Sequence, residues 1–422
     1  MKTTKLFFMA ALALMTAACS NDDNDLAQQP AEQAANGEIT ITATVSSDEG
    51  ATTRALSIDG SDIASTWETT DEFAILFNDG SNNVKRTATV QSINGSNVTI
   101  TFTIPESLAS NTACTIVYPA SAANAANTGA DVATALATQD GTIENCPEVR
   151  VGTATIDKDN HSLSDVTKLT AQNAIFKFTL QDLSATAKSA TEFKVSDGSG
   201  NVMTTVTPGS ASGELYVALP VMVAGTYWFN ATIGSKPYIA KATTAAATVA
   251  GKYYQTTVKM ATIGDVILSD GKFAARSSTG TNVAMIAYLG SSTGVAGYTH
   301  GLALALTDKG QMSWTTAIGA SGAAAHTPAA PTTTSSWMLP SRDQWTNMIN
   351  ACKNVLGTQN NYQDLRGGFN GITGASNLQS RYYWSSTEGG DSDEARCCNF
   401  LNGSWESDYK DGGCRVRACL AF

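Results

Sequence analysis

The stretch GEITITATVSS, residues 37–47, decides how the chain is read. Ile39, Ile41, Ala43 and Val45 alternate with Glu38, Thr40, Thr42 and Thr44. A period of two places apolar side chains on one face of a β-strand and polar ones on the other. The pattern recurs downstream. WETTDEFAILF (67–77) sets Phe73, Ile75 and Phe77 on one face, and NVTITFTIP (97–105) does so with Val98, Ile100, Phe102 and Ile104 before Pro105 ends it. ACTIVYPA (113–120) is a further strand, while the Ala- and Asn-rich interval 120–137 reads as loop with room for one short helix. A second series follows: NAIFKFTL (173–180), TEFKVSDGSG (191–200), GELYVALP (213–220), GTYWFNATI (225–233) and KYYQTTVKM (252–260). Turn residues bound each at the spacing of a β-sandwich. The strands group as one sandwich over 37–165 and a second over 166–262.

Composition agrees. A chain of 422 residues predicts two or three domains. Charged residues are 15%, against about 25% for an average globular protein, and Thr, Ser, Ala, Asn and Gly fill the difference. With a net charge of −11 and no basic run, nucleic acid is excluded as a partner, because binding it needs a basic footprint.

Upstream of the strands, MKTTKLFFMAALALMTAAC has a basic start (Lys2, Lys5), an apolar run from Leu6 to Met15 and small residues up to Cys19. This reads as a secretory signal over 1–18, too short to span a bilayer. Ala17-Ala18-Cys19 resembles the lipobox of bacterial lipoproteins, although Thr16 stands where that motif has leucine. The resemblance implies that Cys19 is lipidated, palmitate included, and that a lipid anchor alone holds the chain to the membrane. Residues 19–36 are polar and aperiodic, a flexible acidic tether. Their Asp22, Asp23 and Asp25 resemble the signal that sends such lipoproteins to the cell surface, and equally suit a plain soluble linker.

Arg54, in EGATTRALSID (49–59), is the first basic residue after Lys5. The lipoprotein start, the strand before Thr52-Thr53-Arg54-Ala55, the Trp67…Asp71…Phe73-Ala74-Ile75 segment, Val117-Tyr118-Pro119 and Ala174-Ile175-Phe176-Lys177-Phe178 together resemble the fimbrillin family. Its members are pilin subunits and surface lipoproteins of anaerobic Gram-negative bacteria. The likeness covers 1–262. It implies cleavage between Arg54 and Ala55 by an Arg-specific protease, departure of the strand 38–46, and assembly with other fimbrial subunits by strand addition. Residues 1–54 carry three basic and seven acidic groups, so cleavage takes the net charge from −11 to −7. An ordinary exposed arginine is the plain alternative.

The last 160 residues differ. SSWMLPSRDQWTNMINACKNVLG (335–357) predicts a helix with Ser341 as N-cap, Asp343 at its positive end, Trp345, Met348, Ile349, Cys352 and Leu356 on one face, and Gly357 after it. The runs WMLPSRDQW, YYWSST, NFLNGSW and RVRACLAF resemble the bacterial branch of the C-type-lectin-like fold. The implied architecture is mostly β, with two tandem fimbrillin-type β-sandwiches and an α+β lectin-like domain over 263–422.

Catalytic chemistry finds little support. Gly290-Ser291-Ser292-Thr293-Gly294 matches G-x-S-x-G, but a nucleophile elbow must lead into a helix, and VAGYTHGLALAL reads as a strand. His161, His300 and His326 lack ligand spacing. The chain is read as a non-enzyme. Glu388, Asp391, Asp393 and Glu394 form the candidate calcium site, set against a merely solvated loop; the sugar-binding triplets of animal C-type lectins are absent. Trp405 and Tyr409 are the candidate contacts for a glycan or host protein, with core packing as the alternative. Cys114 and Cys146 can pair within the first sandwich. The lectin likeness implies a Cys352–Cys419 bridge. Neighbouring Cys397 and Cys398 face opposite sides of a strand, and a largely reduced set remains open. The expectation is a surface lipoprotein of the outer membrane that becomes a fimbrial, tip-located adhesin. The alternative is an anchored monomer that binds glycan or host protein without polymerising.

Overall fold

The structure is a computed structural model and describes residues 37–47, 57–59, 62–64, 67–353, 355–357 and 361–422. The described chain is mostly β. Its first part contains β1 (Glu38–Ser46), the small hairpin β2 (Ser57–Asp59) and β3 (Asp62–Ala64), then β4 (Glu72–Asn78), β5 (Asn83–Asn94), β6 (Asn97–Pro105) and β7 (Thr112–Tyr118). After α1 (Val132–Ala135) come β8 (Thr138–Gln139), β9 (Arg150–Asp157), β10 (Ser162–Ser164) and β11 (Thr170–Ala171). The interval read as loop thus holds α1 and a 3-10 turn at Ala120–Ala122.

Where two facing leaves were expected, one sheet forms, ordered β1-β6-β5-β4-β7-β9-β10 with β11 beside β9. It curls until its ends meet, and Thr42 N donates to His161 O across the closure at 3.1 Å. Ile41, Val45, Phe73, Ile75, Ile100, Ile116 and Ile156 fill the interior. The alternation legible in the sequence therefore reports inside against outside of a closed sheet.

The second part holds β12 (Asn173–Asp182), β13 (Glu192–Ser196), β14 (Val202–Val206), β15 (Glu214–Pro220), β16 (Gly225–Ile233), β17 (Lys236–Thr244) and β18 (Tyr253–Thr262). β18 runs parallel to β12 through Met260 and then meets β17 at Ala261 and Thr262. One strand thus joins two leaves around Phe178, Phe193, Val217 and Phe229.

The boundary at 165 is not sharp. Leu169 is fully buried in the first core, β11 pairs with β9, and β8 pairs in parallel with β14 of the second part. Leu76 and Val117 pack against Ile175, Ala218 and Tyr253 across the seam.

From residue 263 two five-stranded sheets and the longer helices follow. One sheet is formed by β19 (Val266–Leu268), β20 (Phe273–Ala274), β21 (Asn282–Leu289), β22 (Gly301–Ala305) and β28 (Cys419–Ala421). The other uses β23 (Gly310–Met312), β24 (Tyr382–Glu388), β25 (Glu394–Asn399), β26 (Trp405–Tyr409) and β27 (Cys414–Val416). Between them in sequence lie α2 (Trp314–Ile318), α3 (Arg342–Cys352) and α4 (Asn361–Gly367). α3 starts where the sequence predicts, with Ser341 and Gln344 closing a capping box. It ends at Cys352, short of Gly357, and buries Trp345, Met348 and Cys352.

Candidate functional site

Two regions present chemistry beyond packing. The first surrounds β1. Its whole length pairs antiparallel with β6, from Glu38↔Pro105 to Ser46↔Asn97. Ile41 and Val45 are essentially unexposed in the core. At the end of β1 the Ser47 amide donates to Ser96 O (3.3 Å), and the Trp67 indole donates to the same carbonyl (3.0 Å). Ser47 and Trp67, on either side in sequence of Arg54, therefore meet at the same turn. Arg54 and Ala55, like Cys19, lie outside the described residues.

The motif residues from Trp67 to Pro119 converge next to this point. Trp67, Phe73 and Tyr118 form a triangle of rings with centroids 4.9–5.2 Å apart. Asp71, buried beneath them, accepts from Tyr118 Oη (2.9 Å) and from the Glu68 amide (2.7 Å). These residues pin the chain at Trp67, so their part is to build the fold.

The second region is on the last sheet. Trp405 and Tyr409 share a face of β26 but sit at opposite ends, about 13 Å apart at strand rise. Tyr409 opposes Glu394 and is exposed. Trp405 opposes Cys398 and packs at the margin of the core. It lines a cleft of about 480 Å³ with Thr346, Ile349 and Asn350 of α3, Tyr362 of α4, and Asn402 and Gly403 of the β25–β26 turn. Gly403 has φ +81°, and a Cβ there would sit 2.6 Å from the Tyr362 ring, so only glycine lets the turn lie on the tyrosine. The Arg342 guanidinium stacks 5.5 Å from the centre of the Trp405 ring. The sequence marks Asn402-Gly403-Ser404 as a turn, but nothing in it connects that turn to Tyr362, 40 residues earlier in the chain.

The acidic loop does not gather. Lys410 reaches into it, 3.3 Å from Glu388 and donating to Ser392 O at 2.8 Å. Among the described residues no three His, Cys, Asp or Glu side chains are grouped to hold a metal ion. Of the four candidate calcium ligands, Glu388 pairs with Lys410, and Asp391 and Asp393 are exposed.

The cysteine pairs also need correction. All seven described cysteines are free and buried. Cys114 points into the first core, whereas Cys146 packs in the seam on the other side of the sheet, so they cannot meet. Cys352 and Cys419 share one core as separate thiols. Burial pushes the Cys114 and Cys398 thiols up to about 12 and raises Cys146, Cys352 and Cys419 further. Cys397 and Cys398 pack into different cores, as strand alternation requires.

The G-x-S-x-G string leads into β22, and no helix follows it before that strand. His161 is exposed, His300 stacks on Trp228 and His326 is buried against Trp337, so the three are scattered.

No protein-family profile matches the chain, and no curated protein matches it. Solved structures do. A fimbrial protein from Bacteroides ovatus is similar over 92% of this chain and 99% of its own, at 13% identity and TM-score 0.29. A fimbrial assembly protein from Parabacteroides distasonis matches over 52% and 90%, at 11% identity and TM-score 0.28. A C-terminally truncated tip fimbrial protein from Porphyromonas gingivalis matches over 53% and 99%, at 10% identity and TM-score 0.25. Superpositions this loose carry no argument about this chain.

Proposed function

We propose that this chain is a fimbrial subunit or adhesin of the cell surface, held by lipid at Cys19 and released for assembly by cleavage between Arg54 and Ala55. The observation that carries this reading is the attachment of β1. It contributes apolar side chains to the first core and pairs over its full length with β6, and Ser47 just after it meets Trp67 at Ser96 O, with Arg54 between the two in sequence. A cut after Arg54 leaves β1 held by pairing and packing alone. Its departure opens a slot between β6 and His161 with unpaired backbone groups and an apolar floor, which a strand from another subunit can fill.

Ala418, Cys419, Leu420 and Ala421 are fully buried, and β28 is paired with β22 and bridged to Met338. That strand belongs to its own unit and is no donor for a neighbour. The unit over 263–422 is proposed as lectin-like, on the packing of α3 against β21 and β24 and the return of β28 to the sheet where the unit begins, and as the part that binds a glycan or protein.

N-terminal sequencing of protein recovered from filaments should read ALSIDGSD, Arg54→Ala should block incorporation, and Cys19→Ser should free the precursor from the membrane fraction. Filament material beginning at Cys19, or normal assembly by Arg54→Ala, would leave the anchored monomer as the better description.

A further inference from the structure

We infer that the cleft between α3, α4 and the β25–β26 turn binds an uncharged saccharide without a metal ion. This rests on the reading of 263–422 as the ligand-binding unit and gives that ligand a chemical class.

The lining carries the inference. Of its seven residues, Thr346, Asn350 and Asn402 are neutral and polar, Ile349, Tyr362 and Trp405 offer apolar or aromatic surface, and Gly403 brings the turn close. Among the described residues no carboxylate, ammonium or guanidinium lines it. A phosphate, sulfate or carboxylate ligand would lose its water here with no cation to replace it, and a cationic ligand would find no anion. A purely apolar ligand would leave the polar groups of the lining facing a surface that can neither donate nor accept. A sugar ring meets both demands, with C–H faces for the electron-rich faces of aromatic rings and hydroxyls that both donate and accept.

Hydrogen bonds within the protein leave suitable groups over. Asn402 Oδ1 accepts from the Ser404 amide (3.0 Å) and hydroxyl (2.8 Å), so the Asn402 NH2 is its remaining donor. Thr346 Oγ1 donates to Arg342 O at 2.8 Å, which leaves its lone pairs to accept. The cleft volume, about 480 Å³, lies in the range of small-ligand sites, roughly 300–1,000 Å³. Its walls are held from behind. Trp405 is braced by Arg342, and the Tyr362 hydroxyl accepts from Gln363 Nε2 at 3.2 Å. The acidic loop beside Tyr409 lies at the far end of β26 and takes no part.

The test is a glycan array probed with the full chain, carrying neutral, sialylated and sulfated oligosaccharides, in calcium and in EDTA. Hits are quantified by titration. Neutral glycans should bind equally in both buffers. Asn402→Ala, an exposed turn position, should weaken binding at least tenfold with an unchanged melting temperature, Tyr362→Ala should weaken it at least tenfold, and Trp405→Ala should abolish it. Binding confined to acidic glycans, binding lost in EDTA, full binding by Asn402→Ala and Tyr362→Ala, or no glycan bound by the unsubstituted chain would each overturn the inference. None of these variants touches β1 or the loop after it. An unsubstituted chain that binds no glycan yet enters filaments normally therefore counts against the cleft alone, and one that binds glycan but fails to enter filaments counts against the assembly reading alone.

Discussion

At the residue scale, the least replaceable charge in the last unit is Arg417. Its side chain is wholly buried, stacked 4.7 Å from the Phe369 ring centre, and donates to Asp308 (2.7 Å), Ala305 O (2.9 Å) and Ser376 O (3.0 Å). Asp308 also holds Arg415 at 3.2 Å and accepts from Tyr383 Oη at 2.8 Å. Such a network adds little net stability over an apolar replacement, but removing one partner leaves a buried charge uncompensated. Asp308→Ala should therefore cost about 3–5 kcal/mol, read as a shift in the denaturant midpoint of the full chain. The sequence motif RVRACLAF exposes the arginines to view but not their shared carboxylate, which lies more than 100 residues away.

At the element scale, the grip on β1 is apolar and backbone-based. The Glu38–Arg86 pair at its start, 3.2 Å long and about one-third exposed on both sides, contributes about 0–1 kcal/mol. Deleting the buried Ile41 side chain to alanine should cost about 2–5 kcal/mol. In urea, Ile41→Ala should thus lower the unfolding midpoint of the uncleaved chain clearly, while Glu38→Gln should leave it nearly unmoved. Equal effects would mean that charge, not packing, holds the strand. Under the proposed assembly, an incoming strand would have to match the alternation of Ile41, Ala43 and Val45 rather than a charge pattern.

At the scale of the whole molecule, the second and third parts share a core. Trp228 and Ile239 pack with Ile267, Ala303 and Phe422, and the His300 ring stacks 3.8 Å from Trp228. Trp228→Ala should cost about 3–5 kcal/mol and resolve unfolding into separate transitions by calorimetry. The seam is also acid-sensitive. Burial, helped by Lys241, lowers His300 to about 4, and burial, helped by Arg417, lowers His326 to about 4. An unfolded histidine titrates near 6.5, so between these values the unfolded chain binds more protons than the native one. Stability is fully present above about pH 6.5 and is lost as pH falls toward 4. Thermal unfolding across that range should show the fall, and His300→Gln should reduce it, leaving the share of His326.

Sequence alone determined the β character, the positions of β1, β4, β6, β7, β12, β13, β15, β16 and β18 (though not of β5, β9, β14 or β17), the start of α3 and its buried face, and the absence of a helix after the G-x-S-x-G string. These are local properties, set by periodicity, caps and turn residues within a few positions. Tertiary structure decided the rest. Whether alternating strands form two leaves or one closed sheet depends on which edges meet, as at Thr42 and His161. Whether Cys114 reaches Cys146 depends on which side of a sheet each occupies, and whether four carboxylates gather depends on where Lys410 lands. The cleft belongs to this second class, since α3, α4 and the β25–β26 turn supply its walls from positions up to 59 residues apart, and no local pattern encodes their approach.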